Sequence, residues 1–245
     1  MIIIVIIISS YKRGINVGYL IYVLFLTALY VTVFCLMKYM KNTKIFNAIF
    51  VVLVFALYLA ISITVYLDVG FYDWNYQNTL PVANVSPFMF VAVPIASVLP
   101  KTIKKRVYLL VSLLSVGMFF SPVYNCIYNA SINYKFYWHF TYDYLAHILL
   151  SLFGIYLIKS KQVELKIKDC LISGLIIIGV ATTMLILNLI FDTAFFGLSL
   201  NGKHNIYNVV LVKNSYISAL IYYSALCVVL SLGYFYCRVI SKKSK

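Results

Sequence analysis

Apolar residues in this chain come in runs of about 20 separated by short polar junctions, the spacing of helices that cross a bilayer. Seven runs stand at roughly 15–37, 45–67, 81–100, 107–127, 141–158, 170–191 and 215–237. The strict alternation of a membrane β-barrel strand is absent. The expectation is an all-α polytopic bundle of seven transmembrane helices forming one domain over residues 1–245, with no internal repeat, linker or soluble domain. Residues 1–10 are apolar but too short to span, and Lys12 and Arg13 follow them rather than precede them. That order is the reverse of a signal peptide and predicts an interfacial N-terminal piece.

Composition supports the same class. Of 245 residues, 64% are hydrophobic and 11% charged, and the mean hydropathy is +0.96. A soluble domain of this length needs a charged surface, and this chain lacks the residues to make one. The net charge of +14 raises nucleic acid as a partner, but the basic residues sit in clusters between apolar runs. Lys38, Lys41 and Lys44 follow the first run; Lys101, Lys104, Lys105 and Arg106 follow the third. Lys159, Lys161, Lys166 and Lys168 follow the fifth, and Arg238, Lys242, Lys243 and Lys245 end the chain. Fifteen of the 20 basic residues thus fall on one side. The positive-inside rule then predicts a cytoplasmic C-terminus, an outside N-terminus and a multi-pass protein of the cell membrane. The expected partner is the lipid bilayer and its anionic headgroups, not nucleic acid. Protein partners are not specified by the sequence. The five cysteines show no CxxC spacing and read as small core residues.

On that topology, polar residues collect toward the outer ends of the helices. Asp143 and His147 lie four apart in the fifth run, one turn apart on one helix face. Asn84 and Ser86 open the third, Ser121 and Asn125 close the fourth, and Asn188 and Asp192 close the sixth. Ionisable groups at membrane depth are costly unless paired, and often functional. The pattern predicts an outward-facing polar pocket; hydrogen bonds between helices, without a ligand, are the other account. Pro87 and Pro94 read as interior to the third helix, each freeing a carbonyl that a cavity or polar partner must satisfy. A carboxylate beside an imidazole is the arrangement of a general base, with His147 the base and Asp143 its orienter. Ser86, Ser121 and Thr79 are candidate nucleophiles that spacing does not separate. Asn84, Ser86, Asn125, Asn188 and Asp192 are candidate substrate contacts. One embedded histidine and two outer carboxylates fall short of a metal ligand set, and no cofactor motif is present.

Three places carry a resemblance. Leu80-Pro81 opens the third helix after an acidic, aromatic loop; an aromatic stretch leads to the embedded His147; Asn188-Leu189 ends the sixth helix. In these the chain resembles the YwaF-like family of small bacterial integral membrane proteins and, more distantly, the androgen-induced type of membrane hydrolases and acyltransferases. The resemblance implies acyl or ester chemistry on lipids. Where family members carry a His or Gln and then a Cys after Leu-Pro, this chain has Ala83 and Val85, so the family's cysteine is missing. Three functions follow from the sequence: acyl or ester chemistry with His147 as base, a transport or ligand-binding subunit using the same pocket, and a non-catalytic structural membrane protein.

Overall fold

The computed structural model describes residues 17–37, 43–69, 84–131, 138–191 and 215–243. The N-terminal piece 1–10, the aromatic loop 71–76, the leucine–proline pair at 80–81, the tract 203–208, and Thr79 and Asp192 lie outside them. The described residues form seven helices and no strand: α1 (Val17–Leu36), α2 (Thr43–Val69), α3 (Val85–Val98), α4 (Lys101–Ser131), α5 (Trp138–Lys159), α6 (Ile167–Phe191) and α7 (Ser215–Lys243). Five segments are long and apolar enough to cross a membrane, namely Thr43–Leu67, Lys101–Tyr124, Thr141–Lys159, Ile167–Phe191 and Ala219–Lys242. The apolar segments Ile21–Cys35 in α1 and Val85–Val98 in α3 are shorter. At 1.5 Å per residue the 14 residues of α3 reach about 21 Å, against about 30 Å of hydrocarbon. A helix therefore stands at each of the seven apolar runs, and among the described residues five carry segments of spanning length and composition.

Several boundaries differ from the apolar runs, for physical reasons. α4 begins at Lys101, not near 107, because the helix starts directly after Pro100 and lysine is a good helix former. Four basic residues thereby move from a loop into the first two turns of a helix. α7 likewise runs on through Arg238 to Lys243, since hydrogen bonding within the helix continues where apolarity stops. Pro87 is the third residue of α3, where its missing N–H has no partner to lose. It does not interrupt the helix. Pro94 does lie inside α3, and its own carbonyl accepts the Ser97 hydroxyl at 2.7 Å.

α5 is the centre of the bundle. Of its membrane-crossing segment 72% is buried inside the protein, against 22% for α2 and for α7. α4 and α5 share the largest interface, and each also packs on α1, α3 and α7. α2 packs on α5 and α3, and α6 on α4 and α7. Neighbours alternate in direction: Phe50 meets Phe153 and Phe46 meets Tyr156, while Tyr22 and Tyr30 of α1 run in step with Tyr144 and Ser151. The outer helices turn large apolar side chains outward, among them Leu67, Leu220 and Leu175. Water penalises an apolar surface of that extent, whereas lipid does not.

The α4–α5–α7 junction is held by small residues. A Cβ on Gly154 would sit 2.7 Å from the Val111 carbonyl oxygen, and one on Gly233 only 1.7 Å from that of Leu113. The three backbones approach closely there, as small residues allow in membrane bundles. The Ser112 hydroxyl lies 2.9 Å from the carbonyls of Tyr108 and Gly154. Ser151 donates to the Ser115 carbonyl at 2.6 Å, and the Cys237 thiol to that of Ser112 at 3.2 Å. Such bonds between membrane helices average only about 0.6 kcal/mol each, so close packing carries most of the stability and the serines fix register. Gly233→Ala is expected to lower stability by about 1–3 kcal/mol through overpacking against backbone. Gly179→Ala, with nothing within 4 Å of the new Cβ, leaves it unchanged. Thermal unfolding of both variants in detergent measures the difference.

Candidate functional site

The central helix α5 carries Asp143 and His147 on one face, with His147 about 13 Å from the first residue of the helix. His147 is 5% exposed. Its Nδ1 lies 2.8 Å from the backbone carbonyl oxygen of Asp143 and 3.3 Å from that residue's Oδ1. Both oxygens only accept, so Nδ1 carries the proton. In the neutral ring the basic lone pair is then on Nε2. The Phe90 ring of α3 stands edge-on to the imidazole, 5.1 Å away at 90°, and fixes its plane from the neighbouring helix.

α3 brings two further predicted residues to this seam. Asn84 is the N-cap of α3, with extended backbone at φ −154 and ψ 166, and its side chain makes no capping hydrogen bond. Caps of this type usually spend the side-chain oxygen on a helix N–H; Asn84 does not. Ser86 precedes Phe90 by four residues and therefore shares the face that Phe90 turns to His147. α3 and α5 run in the same direction, so Ser86 and Asp143 each lie one turn beyond the Phe90–His147 contact. Around Asp143 the wall is completed by Tyr22 of α1, whose ring is 5.8 Å from that of Tyr144. Cys126 of α4 lies within electrostatic reach of Tyr144 and Asp143. That thiol is fully buried.

The other predicted contacts part company. Asn188 is 2% exposed, but α6 packs on α4 and α7, so it is buried on the opposite flank of the bundle from α3. Asn125 lies in the last two turns of α4, and Asp192 is outside the described residues. Other polar groups at this end serve their own helices, as Thr64 does by donating to the Ala60 carbonyl at 2.6 Å. Phe90 of α3 touches His147, which puts Asn84 and Ser86 at the same end of the α3–α5 seam, while Asn188 lies on α6, which packs on α4 and α7.

A cavity of about 720 Å³ opens at the other end of the bundle, where the basic junctions gather. Lys101, Lys104, Lys105 and Tyr108 of α4 line one side; Lys44, Asn47, Ala48, Val51 and Val52 of α2 line the other. Gln162 closes it from the α5–α6 turn through a reciprocal amide pair with Asn47, at 2.5 and 3.2 Å. That turn is held by Lys161 at φ 58, with the Gln162 N–H returning to the Leu157 carbonyl at 3.0 Å. This is the left-handed closure usual at helix C-termini. Sequence reasoning assigned these lysines to topology and to general contact with anionic headgroups, not to a cavity. The signal for more was present: 101, 104, 105 and 108 are spaced to share one helix face, a pattern hidden by starting the helix at 107.

No protein-family model, curated protein or solved structure matches the chain. The fold itself defines the class, an all-α multi-pass membrane protein. A ¹⁵N spectrum of the His147 ring is expected to show the Nδ1–H tautomer. Asp143→Asn is expected to retain it, because the backbone carbonyl at 2.8 Å survives the change; a switch to Nε2–H would contradict this geometry.

Proposed function

We propose that the α3–α5 seam is a membrane-embedded acid–base site acting on the acyl ester of a lipid or lipid-like molecule. The observation that carries this reading is the buried imidazole whose Nδ1–H is committed to Asp143, which leaves Nε2 as a base in a largely water-excluded setting. The resemblance to YwaF-like proteins points the same way, and the positive-inside count places the seam toward the outer leaflet. His147 takes a proton at Nε2 from an attacking water or the Ser86 hydroxyl. That oxygen adds to the ester carbonyl, and the proton passes to the departing alcohol oxygen. The first-turn N–H groups of α3 have no partners within the helix; with the Asn84 amide they are the donors nearest to hand for the developing oxyanion. Asp143 holds the ring and stabilises the imidazolium. The family's cysteine is Val85 here, and buried Cys126 sits with the core, so the attacking group is an oxygen.

The test is turnover of an acyl-ester phospholipid in vesicles containing the purified protein. His147→Gln is expected to lose at least about 100-fold, the span of a general base, with unfolding temperature retained. Asp143→Asn is expected to lose less, since the backbone carbonyl still orients the ring. Equal turnover by wild type and a folded His147→Gln overturns the reading. Expression-dependent uptake of a solute with no covalent product supports a transport site instead.

A further inference from the structure

The cavity at the basic end joins three features that point to one ligand chemistry. The first is uncompensated charge. Lys44, Lys101, Lys104 and Lys105 all line it. The neighbouring carboxylates pair outside the cavity, Asp169 with Arg106 at 2.8 Å and Glu164 with Lys166 at 3.0 Å, although Glu164 also lies within electrostatic reach of Lys105. Among the described residues no carboxylate lies within ion-pair distance of the four cavity lysines.

The second is the sign of the helix ends. α2 and α4 both begin at this cavity, and neither carries an acidic residue in its first turn. Helix N-termini favour negative charge, yet here lysines occupy both first turns, Lys44 in α2 and Lys101 and Lys104 in α4. By contrast α6 carries Asp169 in its first turn. Two positive helix ends and four ammonium groups therefore converge with no carboxylate in ion-pair contact among the described residues. The third feature is the wall. Ala48, Val51 and Val52 continue the cavity up α2, and Val52 is 64% exposed. A soluble anion has no use for that strip; an acyl chain does.

We propose that this cavity binds the phosphate headgroup of an anionic phospholipid, with the glycerol and upper acyl chain lying along Ala48, Val51 and Val52. The phosphate sits among Lys101, Lys104 and Lys105 at the N-terminus of α4, with Lys44 opposite. A volume of about 720 Å³ suits a headgroup with part of its glycerol, within the usual range of ligand sites. The site is at the opposite end of the bundle from His147 and does not depend on the chemistry proposed there. The bound lipid ties α2, α4 and the α5–α6 turn together where the Asn47–Gln162 amide pair already joins two of them.

The test titrates delipidated full-length protein in detergent with phosphatidylglycerol or phosphatidylcholine and reads bound lipid by native mass spectrometry. Phosphatidylglycerol is expected to bind in preference. Lys101→Gln, Lys104→Gln and Lys105→Gln combined are expected to weaken it about a hundredfold, roughly fivefold per cation. A control removing the same charge outside the cavity, Lys168→Gln, Arg238→Gln and Lys242→Gln, is expected to change affinity less than about twofold. Retained unfolding temperature in lipid-free detergent certifies each variant, and Lys104→Gln alone serves if the triple variant fails to fold. Equal losses in the two triple variants, or equal binding of phosphatidylcholine, overturns the proposal. So does full displacement by millimolar inorganic phosphate, which would identify the occupant as a soluble phosphate compound.

Discussion

The contact on which this bundle depends is the backbone-to-backbone approach of α4 to α5 and α7. Between membrane helices there is little hydrophobic drive to associate, because lipid tails are as apolar as leucine. Association must come from packing, and packing is best where side chains vanish. Gly154 and Gly233 supply that, each placing its Cα against a carbonyl of α4 that any side chain would strike. Ser112, Ser115 and Ser151 then thread hydrogen bonds through the same junction. With α4 and α5 locked, α5 becomes the buried axis, and its neighbours arrange themselves by what they can lay against it.

Burying α5 gives His147 its character. On an outer helix the same residue would face headgroups or lipid. Here Phe90, itself 1% exposed, closes the imidazole from α3, and the turn of α5 supplies the acceptor for Nδ1. A helix that is buried along most of its length can hold an ionisable pair at depth only because backbone and neighbours satisfy it. The pair is thus a consequence of the α4–α5 lock as much as of the residues themselves.

The two ends of the bundle are chemically unlike. One holds hydrogen-bonding groups with the Asp143–His147 pair; the other holds lysines at the starts of two helices around a concave surface. Both would be classed as unremarkable membrane features from spacing alone, a polar helix end and a topogenic cluster. What distinguishes them is convergence. The lysines of α2 and α4 lie far apart in the chain, and they meet because α2 packs on α5 and α3, both of which also pack on α4.

Sequence by itself determined the all-α membrane class, the positions of the seven helices and the grouping of basic residues at one end. Those follow from local quantities, namely run length, apolarity and charge, and each is set by the residue's own preference for lipid or water. The i, i+4 spacing likewise put Asp143 and His147 on one face. Tertiary structure alone decided that α5 is central, that α3 reaches only 14 residues, and that Asn188 belongs to the α6 flank and not to the histidine. It also decided that Lys44 faces Lys101 across a cavity. These depend on which helix faces meet. In a chain that is apolar nearly all round, periodicity does not mark a buried face, because lipid and protein interior reward the same side chains. Glycine contacts and interhelical hydrogen bonds make that choice, and they are visible only once the helices are side by side.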